Sequence, residues 1–219
     1  MILIYICFIV AGFLLGSILF SKIIPQITLG KNICELGSDG NPGAANVFIK
    51  CGKGLGAICL AADMLKGFLP VFSVYLLLDF KSYLFTLVIV SPVLGHALGI
   101  FNKFRGGKCI ATSFGVLIGI LPITRVGFLL AALYIIFSTL LKINPNSRRS
   151  IISFGLFGIS AFAILIYRNL YSIALGCAII SLIAIIKHLP IFSKTEKNLP
   201  KEENYSETTE KNAVKNIRG

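Results

Sequence analysis

The sequence predicts an all-α polytopic membrane protein of seven transmembrane helices, with the N-terminus outside and the C-terminus cytoplasmic. Of its 219 residues 56% are hydrophobic and only 14% charged, where soluble domains carry about 25% charged residues. The mean hydropathy is +0.86. The charges gather in short clusters between apolar runs, several of which approach the roughly 20 residues that a bilayer helix needs.

Met1 to Phe20 is apolar from its first residue and is followed by Lys22. A cleaved signal places positive charge first, so this order reads as a retained helix entering from outside. Further spans run from Leu55 to Leu78, Tyr83 to Phe101, Ile110 to Ile123, Val126 to Leu141, Ile151 to Tyr167 and Leu170 to Ile186. The Ile110 to Ile123 stretch is the shortest. It either crosses as a tilted helix or enters and returns, which leaves five or six crossings as the alternative. Residues 1–192 form the membrane domain, and residues 193–219, nearly devoid of apolar side chains, form a disordered cytoplasmic tail.

Charge placement tests this topology independently. Of 21 Lys and Arg, only Lys81, Arg125 and Arg168 fall outside, and Lys66 lies within a span. The rest are cytoplasmic, as the positive-inside rule requires, in a protein of the cell membrane whose active face is cytoplasmic. A net charge of +12 would point to nucleic acid in a soluble chain. No basic stripe alternates with aromatics here, so nucleic acid is excluded as a partner. The six cysteines form no C-x-x-C pair, and no cluster calls for a metal or cofactor. A P-loop fails too, since Asn102 and Cys109 stand where glycine and a hydroxyl are needed.

Two cytoplasmic loops hold the expensive residues. The first runs from Leu36 through Gly37-Ser38-Asp39-Gly40-Asn41-Pro42-Gly43-Ala44-Ala45-Asn46 to Lys50 and Gly52-Lys53-Gly54. The second holds Gly95-His96 and Phe104-Arg105-Gly106-Gly107-Lys108-Cys109. Each precedes a helix whose free amides and positive dipole end, beside a lysine, suit an anion that glycine lets approach the backbone. Ser147-Arg148-Arg149-Ser150 precedes a later span in the same relation, where attraction of acidic lipid headgroups is an equal reading. The small-x-x-x-small pairs Gly12/Gly16, Gly95/Gly99 and Gly115/Gly119 read as helix-packing sites. Asp63 and Lys66, one turn apart within a span, are either a structural pair or an active-site wall. His96 and His188 are the only histidines, each either a general base or a polar anchor.

In this order, these stretches resemble the bacterial membrane glycerol-3-phosphate acyltransferases that use acyl-phosphate as donor. The matching residues are Gly16-Ser17-Ile18, Gly40-Asn41-Pro42-Gly43-Ala44 with Asn46, Gly52-Lys53 through Asp63 and Lys66-Gly67, then Gly95-His96 and Phe104 to Lys108 with Ala111-Thr112. The resemblance implies seven helices and transfer of a fatty acyl group from acyl-phosphate to the 1-hydroxyl of glycerol 3-phosphate, giving lysophosphatidate for phospholipid synthesis. It implies Ser38 and His188 as catalytic residues, Asn41 and Asn46 as motif asparagines, and Gly106, Gly107 and Lys108 as the phosphate-binding loop. The cationic-loop pattern adds Lys50 and Lys53 as phosphate partners, with His96, Asp63 and Lys66 in support. The chain departs from the family pattern at Asn32-Ile33-Cys34, at Ile49 where an arginine is expected, at Ala45, Gly99 and Cys109, and after His188. Asp39 reads as an inserted residue.

The partners implied are acyl-phosphate, glycerol 3-phosphate, membrane lipids and the enzyme that forms acyl-phosphate. The altered motifs keep a second reading open, a homologue that binds phospholipid precursors or a partner enzyme without transfer. A transporter for an organic phosphate ranks last, because the cations lie at one face and the halves show no matching repeats.

Overall fold

The computed structural model describes residues 1–37 and 39–189. The expected tail at 193–219 lies outside the described residues. All regular structure among them is helical: α1 (Ile2–Ser17), α2 (Phe20–Leu29), α3 (Ile33–Leu36), α4 (Ala44–Cys51), α5 (Lys53–Leu77), α6 (Leu84–Leu98), α7 (Ile110–Gly119), α8 (Gly127–Ile135), α9 (Asn146–Tyr167) and α10 (Tyr171–His188).

Four helical stretches are long and apolar enough to cross a bilayer: Lys53–Leu77, Leu84–Asn102, Asn146–Tyr167 and Tyr171–His188. The α1–α2 pair makes a fifth when its 46° bend is counted within one span. These five correspond to five of the expected apolar spans. The span expected at Ile110 to Ile123 stops at Gly119 after 10 helical residues, about 15 Å at 1.5 Å per residue. Pro122 stands two residues beyond the Ile120 cap and cannot continue the helix. The next apolar stretch, Gly127–Leu140, is also short, and its α8 helix widens into a π turn at Ile136–Leu140.

Helix α6 is the axis of the bundle, with α1 on one side, α10 on another, and α5 and α7 nearby. Phe85, Val88, Ile89 and Val93 of α6 and Ile173, Cys177 and Ile180 of α10 belong to one fully buried core cluster. Reciprocal glycines set the closest approaches. A Cβ at Gly16 would stand 2.2 Å from the Pro92 carbonyl oxygen, and one at Gly95 would stand 2.1 Å from that of Phe13. Helices α5 and α7 repeat the arrangement, Gly67 against the Thr112 carbonyl at 2.3 Å and Gly115 against that of Met64 at 1.9 Å. Without a hydrophobic driving force between helices in lipid, such backbone contact carries much of the association. The packing role expected for Gly12, Gly16, Gly95, Gly115 and Gly119 is thus met, whereas Gly99 serves as the left-handed cap of α6 at φ +58.

The break between α1 and α2 has a specific buried support. Ile18 is extended, so its carbonyl leaves the helical ladder and accepts from Lys66 Nζ at 2.5 Å. Lys66 pairs with Asp63 at 2.8 Å, both side chains 1% exposed, and Ser21 Oγ donates to the same carboxylate. Asp63 and Lys66 thus sit at the break between α1 and α2, paired with each other and tied to Ser21 and Ile18.

Replacing Gly16 or Gly95 by valine should force α1 and α6 apart and cost about 3 kcal/mol or more, as overpacking does. Gly155→Ala, with nothing within 4 Å of the added carbon, should leave stability within about 0.5 kcal/mol. Unfolding midpoints of the purified protein in detergent distinguish these outcomes.

Candidate functional site

The first glycine-rich loop lies between α3 and α4, and the second lies between α6 and α7. In the first loop, Asn32 caps the short α3 by accepting from the Cys34 amide at 3.2 Å. The chain then turns through Gly37 and Gly40 to enter α4 at Ala44. Two glycines make room for carboxamides: a Cβ at Gly37 would meet Asn46 Nδ2 at 2.6 Å, and one at Gly43 would meet Asn41 Nδ2 at 2.5 Å. Asn46 Nδ2 donates to the Asn41 carbonyl at 2.9 Å, closing the loop on itself. Ser38 lies outside the described residues.

In the second loop, Gly106 and Gly107 lie flat on the end of α6. A Cβ at Gly106 would stand 2.2 Å from the Ala97 carbonyl oxygen, and one at Gly107 2.2 Å from His96 Nε2. The Gly107 amide donates to the His96 carbonyl at 2.9 Å. These glycines therefore serve backbone packing, whatever ligand the loop holds. The backbone is left-handed at Lys103, Phe104 and Cys109, a conformation non-glycine residues adopt at a cost and only under tertiary support. Support comes from Asn102, whose Nδ2 donates to the Arg105 carbonyl at 2.6 Å while its Oδ1 accepts from Lys22 Nζ of α2 at 2.5 Å.

The two loops meet through a residue that the sequence reading treats as an insertion. Lys108 Nζ lies 2.7 Å from Asp39 Oδ2. Asp39 Oδ1 accepts from Asn46 Nδ2 at 2.8 Å and from the Asn41 amide at 3.2 Å. Burial works against the Asp39 charge, but hydrogen bonds from Lys108 and Asn46 and the positive charge of Lys108 outweigh it, holding the carboxyl below its ordinary value. An acidic residue inside a cationic, glycine-rich loop was the available sequence signal for this partner.

The remaining candidates fall into two groups. His188 is 2% exposed at the end of α10, within electrostatic range of Lys108 and Asp39. Its Nδ1 lies 2.7 Å from the Ala184 carbonyl, which can only accept, so Nδ1 carries a proton and, in the neutral ring, the lone pair is on Nε2. His96 is buried beneath Gly107, with no hydrogen-bond partner for Nδ1 among the described residues. Lys50 and Lys53 are exposed at the corner between α4 and α5, and their side chains make no hydrogen bond or ion pair with the described residues. Arg149 Nη2 donates to Asn146 Oδ1 at 2.7 Å, within the first turn of α9.

A family model described as glycerol-3-phosphate acyltransferase matches residues 6–196. The chain belongs to this family. Among curated acyltransferases, it is 39% identical to glycerol-3-phosphate acyltransferase 2 of Thermotoga maritima over 130 residues, 59% of this chain and 65% of that protein. It is 44% identical to the Hydrogenobaculum sp. enzyme over 114 residues, 52% of this chain and 57% of that protein. The aligned segments thus span less than two thirds of the length of these relatives. The crystal structure of PlsY (YgiH), an integral membrane glycerol 3-phosphate acyltransferase in its glycerol 3-phosphate form, superposes with a TM-score of 0.73 at 28% identity, covering 94% of this chain and 98% of that one. Its lysophosphatidic acid form gives a TM-score of 0.71 at 27% identity, covering 90% of this chain and 94% of that one. The family expected from the loop motifs is therefore the family found.

Hydrogen bonds from Lys108 and Asn46 and the Lys108 charge hold the Asp39 carboxyl of the folded chain below its ordinary value of 3.8, against the effect of burial. Its contribution to stability is then fully present above that value and is lost as pH falls through the lower folded one. Unfolding midpoints of the wild type and Asp39→Asn should differ by a constant amount near neutral pH and converge in acid. A difference that persists unchanged through acid pH would contradict the ion pair.

Proposed function

We propose that the chain transfers a fatty acyl group from acyl-phosphate to the 1-hydroxyl of glycerol 3-phosphate, giving lysophosphatidate. The observation that carries this reading is the convergence of Lys108, Asn46 and the Asn41 amide on one anion. Seven crossings with the N-terminus outside would put both loops at the cytoplasmic face of the cell membrane, as the lysine distribution favours. PlsY (YgiH) has been crystallised in a glycerol 3-phosphate form and a lysophosphatidic acid form, which agrees with the proposed substrate and product.

The chemistry asks little of the protein beyond placement. Acyl-phosphate is an activated mixed anhydride, so the 1-hydroxyl oxygen attacks the acyl carbon directly. An ester C–O bond forms, the acyl carbon–phosphate oxygen bond breaks, and inorganic phosphate leaves. The hydroxyl proton passes to His188 Nε2 or to a phosphate oxygen. Lys108 and the first-loop donors stabilise phosphate charge, and holding both substrates together supplies the entropic advantage of an intramolecular reaction. Ser38 is assigned a catalytic role only by carry-over from the family motif. Lys50 and Lys53 offer exposed positive charge that draws the anionic substrates in. Acyl chains and membrane lipids reach the site laterally, and the enzyme that forms acyl-phosphate supplies the donor.

A second reading has one observation in its favour. Ile49, 75% exposed, stands where the family pattern expects an arginine, so binding without transfer follows if the remaining donors cannot orient the substrates.

Purified protein given acyl-phosphate and labelled glycerol 3-phosphate should form labelled lysophosphatidate. Lys108→Ala should lower that rate by about 100-fold or more, the scale seen when one preorganised donor is lost. Binding of glycerol 3-phosphate without product would support the second reading, and full activity in Lys108→Ala would remove this lysine from the site.

A further inference from the structure

We propose that Asp39 is an internal competitor for the phosphate site, its carboxylate occupying donors that the substrate phosphate must take over. This inference rests on the phosphate-binding reading of Lys108. Three donors of different chemistry meet at that carboxylate: the Lys108 ammonium at 2.7 Å, the Asn46 carboxamide at 2.8 Å and the Asn41 backbone amide at 3.2 Å. An ammonium, a side-chain amide and a main-chain amide are the groups with which proteins hold phosphate oxygens. The two carboxylate oxygens each take a separate part of the set, as two oxygens of a phosphate would.

Both charges remain within reach of solvent, with the Lys108 side chain 15% and that of Asp39 33% exposed. A phosphate arriving at Lys108 while Asp39 stayed would place two anions on one ammonium. Like charges that close repel, so the carboxylate must give way. The chain next to it permits that movement: Gly40 is left-handed at φ +67, and only the Cys34 carbonyl oxygen, at 3.8 Å, comes near where its Cβ would be. Asn46 Nδ2 keeps its second acceptor, the Asn41 carbonyl at 2.9 Å, so the loop stays closed while the donors change partner. The exchange favours a ligand with more than one negative charge over a simple carboxylate, because the incoming group must outbid a carboxylate already in place. Asp39 thus sets the affinity and charge selectivity of the site without touching the reacting atoms.

The test uses the purified full-length protein, with inorganic phosphate as the binding probe and glycerol 3-phosphate as the varied substrate. Asp39→Asn keeps the shape and removes the charge. It should tighten phosphate binding about tenfold and lower KM for glycerol 3-phosphate by a similar factor, within the usual range of coupling between ligands, while kcat changes less. Asp39→Glu, which keeps the charge, should retain wild-type affinity. Asp39→Ser supplies the same reading if Asp39→Asn does not fold. Phosphate affinity equal to or weaker than wild type in the uncharged variants would overturn the proposal and leave Asp39 as a structural bridge. Product formation with unchanged or raised KM in Asp39→Asn would keep acyl transfer and remove the competitor. Tighter phosphate binding with no lysophosphatidate from any form would keep the competitor and remove acyl transfer.

Discussion

The ion pair between Asp39 and Lys108 joins segments 69 residues apart and ties the two glycine-rich loops together. Each loop alone is an ordinary helix entrance with glycine and cationic neighbours. Joined, they direct an ammonium, a carboxamide and a backbone amide at a single anion position. Anion recognition depends on such convergence more than on net charge, since isolated exposed lysines gain little from any one contact. Lys50 and Lys53 illustrate the difference: they are close in sequence to the first loop, exposed, and outside its hydrogen-bond network.

Helix packing decides whether the pair can form. Gly106 and Gly107 lie on the carbonyls and histidine at the end of α6, so the position of Lys108 follows that of α6. The depth of α6 against α1 is fixed by Gly16 and Gly95, and that of α7 against α5 by Gly67 and Gly115. At the same end, Lys66 satisfies the carbonyl freed by the α1–α2 break, and Lys22 of α2 reaches Asn102 in the second loop. Backbone contact between helices, a bend held by a buried ion pair, and a loop held by both form one continuous chain of support. Its parts are hydrogen bonds and van der Waals contacts in a medium where unsatisfied polar groups are costly.

Much of this was legible from residue patterns, and the reasons are specific. Gly12, Gly16, Gly95 and Gly115 announced close helix contact because small residues at that spacing have few other uses in a bilayer. Asn41, Asn46 and Lys108 stood in motifs that located the family correctly. Asp63 and Lys66 were visible as a pair at helical spacing, but their partners Ser21 and Ile18 lie more than forty residues away and appear only once the chain folds. Asp39 is visible as an acid in a basic loop and as an insertion against the family pattern, but its partner Lys108 lies 69 residues away and meets it only once the chain folds. The apolar composition of the Ile110 to Ile123 span continues past Gly119, where the α-helix ends, and Pro122 has no amide to extend it.

The central claim, that both loops hold one phosphate-bearing ligand together, is tested most directly by amide hydrogen exchange in the purified protein with and without glycerol 3-phosphate. The account predicts that peptides covering residues 39–46 and 105–110 slow together, with the same ligand concentration dependence. Protection of one segment while the other exchanges unchanged would contradict it.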